Sequence, residues 1–362
     1  MARIITKNTK NSKSAKPIRV AVGLSGGVDS SVAAYLLEVQ GYDVTGVFMQ
    51  CWEERADGCR ADEDRADAVE VASKLGIKFE HLNYINEYKD KVISYFYKEY
   101  EAGRTPNPDV VCNRDIKFGL FMEWAAKNGF DLIATGHYAR IKKEADKYLL
   151  LKGLDASKDQ SYFLYLLNRE QLSGTLFPVG EMLKNDVRKL AKKAGLPTYK
   201  KPDSVGICFI GEVDIKEFLK KRIEPVSGNV VDRNGNIIGK HEGVPFYTIG
   251  QRHGFTVGKY TGLPMYVIGK NVDKNELVVG FASEANRESF EVADLHWVSE
   301  KPIGNFECDV RIRHLGELYK AYIEVKNGKA LVNLEDSTFG VAPGQSAVFY
   351  DGDVVLGGGV IV

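Results

Sequence analysis

Over roughly the first two hundred positions, stretches of alternating apolar residues give way repeatedly to stretches with apolar residues at helical spacing. Ile18, Val20 and Val22 alternate with other residues as in a half-buried strand, and an apolar helical face follows at Val32-Ala33-Ala34-Tyr35-Leu36-Leu37. Residues 44–49 read as a second strand, 63–75 as an amphipathic helix with an acidic start, 78–82 as a strand and 87–100 as a helix. Another helix starts near Asn113, with Phe118, Phe121 and Met122 on its apolar side, and residues 131–140 make a strand ending in Gly136 and His137. A short strand at 149–151 and a helix opening at 158 complete the series. This alternation predicts an α/β fold with a parallel, doubly wound sheet.

Past Glu212 the texture changes. Gly, Asp and Asn turns recur, and between them run brief alternating segments at 277–279, 306–313, 321–325, 330–334 and 347–350. The spacing predicts a small mixed β module and then a C-terminal β-barrel. The expected organisation is a basic, polar, disordered extension over 1–17, a catalytic domain over 18–212, a small β-rich domain over 213–287 and a barrel over 288–362.

Composition narrows the classes. Of 362 residues, 44% are hydrophobic and 27% charged, which describes a soluble globular protein. Lys+Arg and Asp+Glu both number 49, so any nucleic-acid surface has to be a local patch. No apolar run approaches a membrane span or a signal-peptide core. Five cysteines in no dense framework point to a reducing compartment, and the cytoplasm is the expected location.

The chemistry concentrates in a few loops. Gly23-Leu24-Ser25-Gly26-Gly27-Val28-Asp29-Ser30-Ser31 lies between the first strand and its helix. Glycines there let backbone N–H groups approach an anion, and the helix dipole favours its charge. Ser25, Ser30 and Ser31 add hydroxyls, while Asp29 suits either Mg²⁺ or the orientation of the turn. Neither of the two usual phosphate patterns, G-x-x-x-x-G-K-[ST] and G-x-G-x-x-G, occurs in this turn. Met49 stands where ligands of open α/β sheets lie, as a backbone contact for adenine or as a plain core residue.

Pro106 and Pro108 fix an extended loop. Cys112, at or just before a helix N-terminus and beside Arg114 and Lys117, has two effects favouring its thiolate. The competing reading is a small buried hydrophobe. Asp109 suits a general base or proton shuttle. Cys208 lies in a second Gly-rich turn between Ile207 and Phe209, which also fits a buried thiol. His137 is a polar residue at a strand's C-terminal end, or a core histidine with a partner, and Asp159 suits a helix cap. Lys184, Arg188, Lys189, Lys192, Lys193, Lys200 and Lys201 face only Asp186 in their stretch. They form either a phosphate-backbone surface or a solvated face. Cys308 reads as core, and Cys51 and Cys59 make no metal site.

Ser-Gly-Gly-Val-Asp-Ser resembles the loop of the ATP pyrophosphatases. Taken with 103–119, Thr135-Gly136-His137-Tyr138, 153–165, 204–212, Gly250-Gln251-Arg252 and 343–350, it makes the chain from about Ile18 onward resemble the tRNA-specific 2-thiouridylases. These are also described as tRNA-uridine 2-sulfurtransferases. The resemblance implies adenylation of the C2 oxygen of a wobble uridine in tRNA, then sulfur delivery by a sulfur-donating protein, a cysteine desulfurase or a relay protein. Gly23, Leu24, Ser25, Gly26, Gly27, Val28, Asp29, Ser30, Met49 and Gly136 would bind ATP, with Mg²⁺. Asn107, Pro108 and Asp109 would contact the target base. Cys112 would be the nucleophile, and Cys208 would carry the persulfide and pair transiently with Cys112. His137, Lys158, Asp159, Gln160, Arg313, His314 and Gln345 would contact tRNA, His314 standing where some members carry tyrosine.

Elementary chemistry agrees. A pyrimidine carbonyl oxygen leaves poorly until AMP is attached to it, and a persulfide releases its outer sulfur when a second thiolate attacks. Two other readings keep part of the pattern: a small-molecule ligase with the same ATP loop, and an RNA-binding module with a degenerate nucleotide site.

Overall fold

The computed structural model describes residues 16–53, 61–203, 206–258, 262–298 and 300–362. Cys59 and most of the expected 1–17 extension lie outside them. Among the described residues, the first part of the chain carries seven strands: β1 (Arg19–Gly23), β2 (Asp43–Gln50), β3 (Lys78–Asn83), β4 (Leu132–Ala134), β5 (Ala139–Glu144), β6 (Lys147–Lys152) and β7 (Thr175–Leu176). Five of them form an all-parallel sheet in the order β3-β2-β1-β4-β7. Strand β1 is not half-buried as its alternation predicts: Val20, Ala21 and Val22 are each 0% exposed. A parallel sheet is covered on both faces by its crossover helices, so its central strand has no solvent side.

Helices α1 (Val28–Val39) and α2 (Ala61–Leu75) cover one face, where Ala34, Leu37, Ala68 and Val71 pack on Val20, Val22 and Phe48. Helical stretches over 85–101 and 108–127 join a second core that includes Ala21, Val47, Tyr88, Phe96, Ile116 and Phe121. Both stretches contain wide i→i+5 turns, at Lys89–Ile93 and Asn113–Leu120.

Residues 131–140 are not one strand. β4 ends at Ala134, the chain turns through Gly136, and β5 starts a hairpin with β6 that leaves the parallel sheet. That hairpin pairs with the barrel, Leu151 opposite Val354. The segment opening at 158 is not an α-helix either, but a single 3₁₀ turn over Ser161–Leu164.

Strands β8 (Gly228–Val231), β9 (Ile237–His241), β10 (Thr256–Val257), β11 (Tyr266–Asn271) and β12 (Glu276–Gly280) form a small mixed sheet in the order β10-β9-β8-β12-β11. Six more strands follow: β13 (Asn286–Trp297), β14 (Phe306–Arg311), β15 (Tyr319–Lys326), β16 (Lys329–Phe339), β17 (Ser346–Asp351) and β18 (Val354–Ile361). They run antiparallel in the order β13-β16-β15-β14-β17-β18 and close through β13–β18, a barrel that leaves no free edge within the six. Cys308 lies in its apolar core, where burial pushes the thiol up to about 12. Among the described residues no helix is long and apolar enough to cross a membrane.

Candidate active site

The turn after β1 has the features an anion cradle needs. Gly26 takes φ +74°, and a Cβ there would lie 2.2 Å from the Asp64 carbonyl oxygen, so only glycine fits. Gly27 is the N-cap of α1 and supplies no side-chain cap, which leaves the first-turn N–H groups facing the turn. Ser30 Oγ accepts from Ser25 N–H at 3.2 Å, and Ser31 Oγ donates to Gly27 O at 2.7 Å, so the hydroxyls shape the turn. Leu24 and Val28 are buried beneath it, while Ser25 is exposed.

Gly136 closes the cradle's far side. A Cβ on it would stand 2.6 Å from Ser30 N and 2.7 Å from Asp29 C. Met49, buried at the end of β2, reaches toward the same place: a Cβ on Gly23 would meet its Cε at 3.2 Å. Asp29 accepts from Tyr138 OH at 2.8 Å and pairs with Lys184 Nζ at 2.7 Å. In this structure, then, its carboxylate orients the turn.

The basic stripe is largely consumed by such pairing. Lys184 is only 7% exposed and bridges Asp29 and Asp203; Arg188 binds Asp203, and Lys201 binds Asp64 and Asp67. The continuous phosphate-binding face offered by the sequence is therefore reduced to its exposed remainder, Lys189, Lys192, Lys193 and Lys200.

The two expected thiols meet. Cys112 Sγ and Cys208 Sγ lie 3.5 Å apart across 96 positions of sequence. Cys112 is not at a helix N-terminus: the helix starts at Pro108 with Asn107 as N-cap, its side chain accepting from Val110 N–H. Cys112 is the fifth residue of that helix and fully buried, and burial pushes its thiol well above the ordinary range. The thiolate is instead favoured at Cys208. The hydrogen bond from Cys112 and the charge of Lys117 hold it below the ordinary thiol value against the cost of burial.

Cys208 is held from both sides. Its N–H donates to Asp109 Oδ1 at 2.9 Å and its carbonyl accepts from Tyr88 OH at 2.6 Å. Phe209, next in the tight turn, takes φ +67°, a strained value for a bulky residue. Burial raises the Asp109 carboxyl above its ordinary value even though it accepts that N–H. Tyr88 carries no sequence signal, because its partner lies 120 positions away. Cys51, at the end of β2, is also buried, and burial pushes its thiol well up.

Most of the remaining sequence candidates are engaged in hydrogen bonds or ion pairs. His137 is buried, with Nδ1 2.7 Å from Thr135 Oγ1 and Nε2 3.4 Å from Lys117 Nζ. Burial first, and then Lys117, drive its pKa well below the ordinary value, so the ring is neutral. Lys158 pairs with Asp203 at 2.7 Å, and Gln160 Oε1 accepts from Tyr138 N–H. Asp159 is buried, accepts from Gly153 and Ser161 N–H, and pairs with Arg311 of the barrel at 2.8 Å. Gln345 donates to the carbonyls of Thr105 and Pro106, fastening the barrel to the loop before Cys112. Arg313 is exposed, and the half-buried His314 ring lies over Phe163 with centroids 4.2 Å apart.

Three family models match consecutive stretches: a tRNA methyl transferase HUP domain over 18–212, a tRNA methyl transferase PRC-barrel domain over 216–281 and an aminomethyltransferase β-barrel domain over 287–361. Full-length relatives are similar throughout. The tRNA-specific 2-thiouridylase MnmA of Pseudoalteromonas translucida is 47% identical over 355 residues, covering 95% of this chain and 97% of that one. Its counterpart in Geobacillus thermodenitrificans is 47% identical over 350 residues, 95% and 94% covered. That of Paracidovorax citrulli is 45% identical over 361 residues, 95% and 96% covered. The chain belongs to the tRNA-specific 2-thiouridylase family.

Proposed function

We propose that the chain is a tRNA-uridine 2-sulfurtransferase acting in the cytoplasm. It adenylates the C2 oxygen of the wobble uridine with ATP and replaces that oxygen with sulfur taken from a protein persulfide. The observation that carries the reading is the thiol pair at 3.5 Å, held in a chain that also has the phosphate cradle. A ligase for a small molecule has no use for two apposed thiols.

The turn from Gly23 to Ser30 would hold the phosphates of ATP, Met49 and Gly136 would border its adenosine, and Mg²⁺ would supply the counter-charge. Asn107, Pro108 and Asp109 border the target base, and Lys158, Gln160, Arg313, His314 and Gln345 lie toward the tRNA. His137 and Asp159, both buried, act through the residues they hold. Cys208, as thiolate, attacks the outer sulfur of the donor's persulfide; the donor leaves as a thiolate and Cys208 becomes the persulfide. The Cys112 thiolate then attacks the inner sulfur, forming the Cys112–Cys208 bond. The outer sulfur departs with the electron pair and displaces AMP from C2. A low-molecular-weight dithiol or a reductase restores the two thiols.

Mass spectrometry of nucleosides from tRNA incubated with the protein, ATP and a persulfide donor tests this. The expected product is 2-thiouridine, formed only when ATP is present. Its absence under those conditions, with a donor active on another acceptor, overturns the reading.

A further inference from the structure

A partly buried thiolate needs a counter-charge, and the cation whose field reaches both thiols is Lys117. Its Nζ is 3.4 Å from Nε2 of the buried His137 and 5.6 Å from the ring centroid of Phe209, the neighbour of Cys208. Lys117 belongs to the same helical stretch as Cys112, five residues on. Around an ordinary α-helix, five residues turn the side chain by roughly 140° beyond a full turn, to nearly the opposite side. Here the Asn113–Leu120 stretch follows the wider i→i+5 pattern, with Phe121 N–H reaching back to Ile116 O. That spacing brings residues five apart toward the same face, and such wide turns recur at functional sites.

We propose that Lys117 is the positioning charge of the thiol pair: its ammonium, carried onto Cys112's face by the wide turn, keeps Cys208 as the ionised sulfur and Cys112 as its hydrogen-bond donor. The proposal rests on the sulfur-transfer reading and names the charge that holds a thiolate within the pair. The neighbours agree in sign. Burial pulls the Lys117 ammonium down, but Cys208, Cys112 and Asp109 together raise it above the ordinary lysine value, so it stays charged. Asp109, Cys51 and Tyr88 also face the thiols, and any negative charge on them would oppose a thiolate at 208. Glu87 acts on Cys51 in the same sense. His137, neutral, offers Nε2 as the acceptor that fixes the ammonium. The same charge also lowers Cys112, which serves that thiol when its turn to attack comes.

The test is the pH dependence of Cys208 alkylation by iodoacetamide in the full chain, read by mass spectrometry of the modified peptide. Lys117→Met should raise the midpoint by a unit or more, slowing alkylation about tenfold or more at neutral pH. Lys117→Arg, which keeps the charge, should restore most of the shift. Lys117→Gln keeps a donor for His137 without the charge and replaces the Met variant should that one not fold. An unchanged midpoint in Lys117→Met or Lys117→Gln, or one equally raised in Lys117→Arg, overturns the proposal. The titration needs neither tRNA nor ATP. Failure of wild-type thiolation would therefore remove the functional reading and leave this measurement intact.

Discussion

Lys184 Nζ lies 2.8 and 2.7 Å from the two carboxylate oxygens of Asp29, and the same ammonium is 2.9 Å from Asp203 Oδ1. One buried cation thus ties the Gly23–Ser30 turn to Asp203, five residues before Cys208. Removing one partner of a buried ion pair leaves the others uncompensated.

Lys184→Met should accordingly cost about 1–3 kcal/mol of stability, less than a fully buried pair because both carboxylates keep solvent contact. It should also slow tRNA-dependent AMP formation at least tenfold, while leaving the salt dependence of tRNA binding unchanged. Neutralising Lys192 and Lys193 should do the reverse and flatten the salt slope by about one unit per lost phosphate contact. Binding titrations at several salt concentrations separate the two. A flattened slope in Lys184→Met alone would return that residue to the tRNA surface.

Gly136 and Asp29 make a second test. Alanine at 136 places a Cβ 2.6 Å from Ser30 N, and backbone cannot yield as a flexible side chain can. Gly136→Ala should weaken nucleotide binding at least tenfold with the circular dichroism spectrum retained. Asp29→Ala, which frees both Lys184 and Tyr138 OH, should lose AMP formation. Wild-type ATP affinity in Gly136→Ala would mean that the turn through Gly136 does not border the nucleotide.

Local pattern made much of this visible. The strand–turn–helix around Gly23–Ser30, the β texture after 212 and the two cysteine loops are all short-range signals. What local pattern lacks is long-range pairing. Nothing near Lys184 in sequence announces Asp29, 155 positions away, so a stripe of cations reads as surface. Arg311 and Asp159 are hidden from each other in the same manner. The β5–β6 hairpin reads as part of the first domain because its barrel partner, Val354, comes two hundred residues later. Cys112's environment escapes local pattern for a different reason. The Asn107–Pro108 cap moved the helix start by five residues, and burial then outweighed the helix dipole.

Acidification supplies a third expectation. Burial holds His314 at about 4 and His137 well below its ordinary value, so both stay neutral when folded. The unfolded chain protonates them from about pH 6.5. Between there and about pH 4 the unfolded state binds more protons, so stability falls as pH drops. Denaturant midpoints at pH 7.5 and 5 should show this loss, and His314→Gln should reduce it. A midpoint that holds or rises at pH 5 would contradict the burial of these rings.

The thiol pair gives the last and sharpest prediction. Serine nearly matches cysteine in size, so Cys112→Ser and Cys208→Ser should both fold, but a hydroxyl neither carries sulfane sulfur nor leaves as a thiolate. Each variant should therefore lose thiolation. Adenylation needs only ATP and the base, so part of the tRNA-dependent AMP formation should survive. After one turnover without reductant, peptide mapping should find Cys112 joined to Cys208. The sulfurs need to close from 3.5 Å to about 2.05 Å. Cys308→Ser, in the barrel core, should cost about 1 kcal/mol and no chemistry. Because the hydrogen bond from Cys112 helps ionise Cys208, Cys112→Ser should also alter Cys208 alkylation at neutral pH, whereas Cys308→Ser should not. Full thiolation by Cys208→Ser would end the two-thiol mechanism, since Cys208 is the thiol hydrogen-bonded to Cys112.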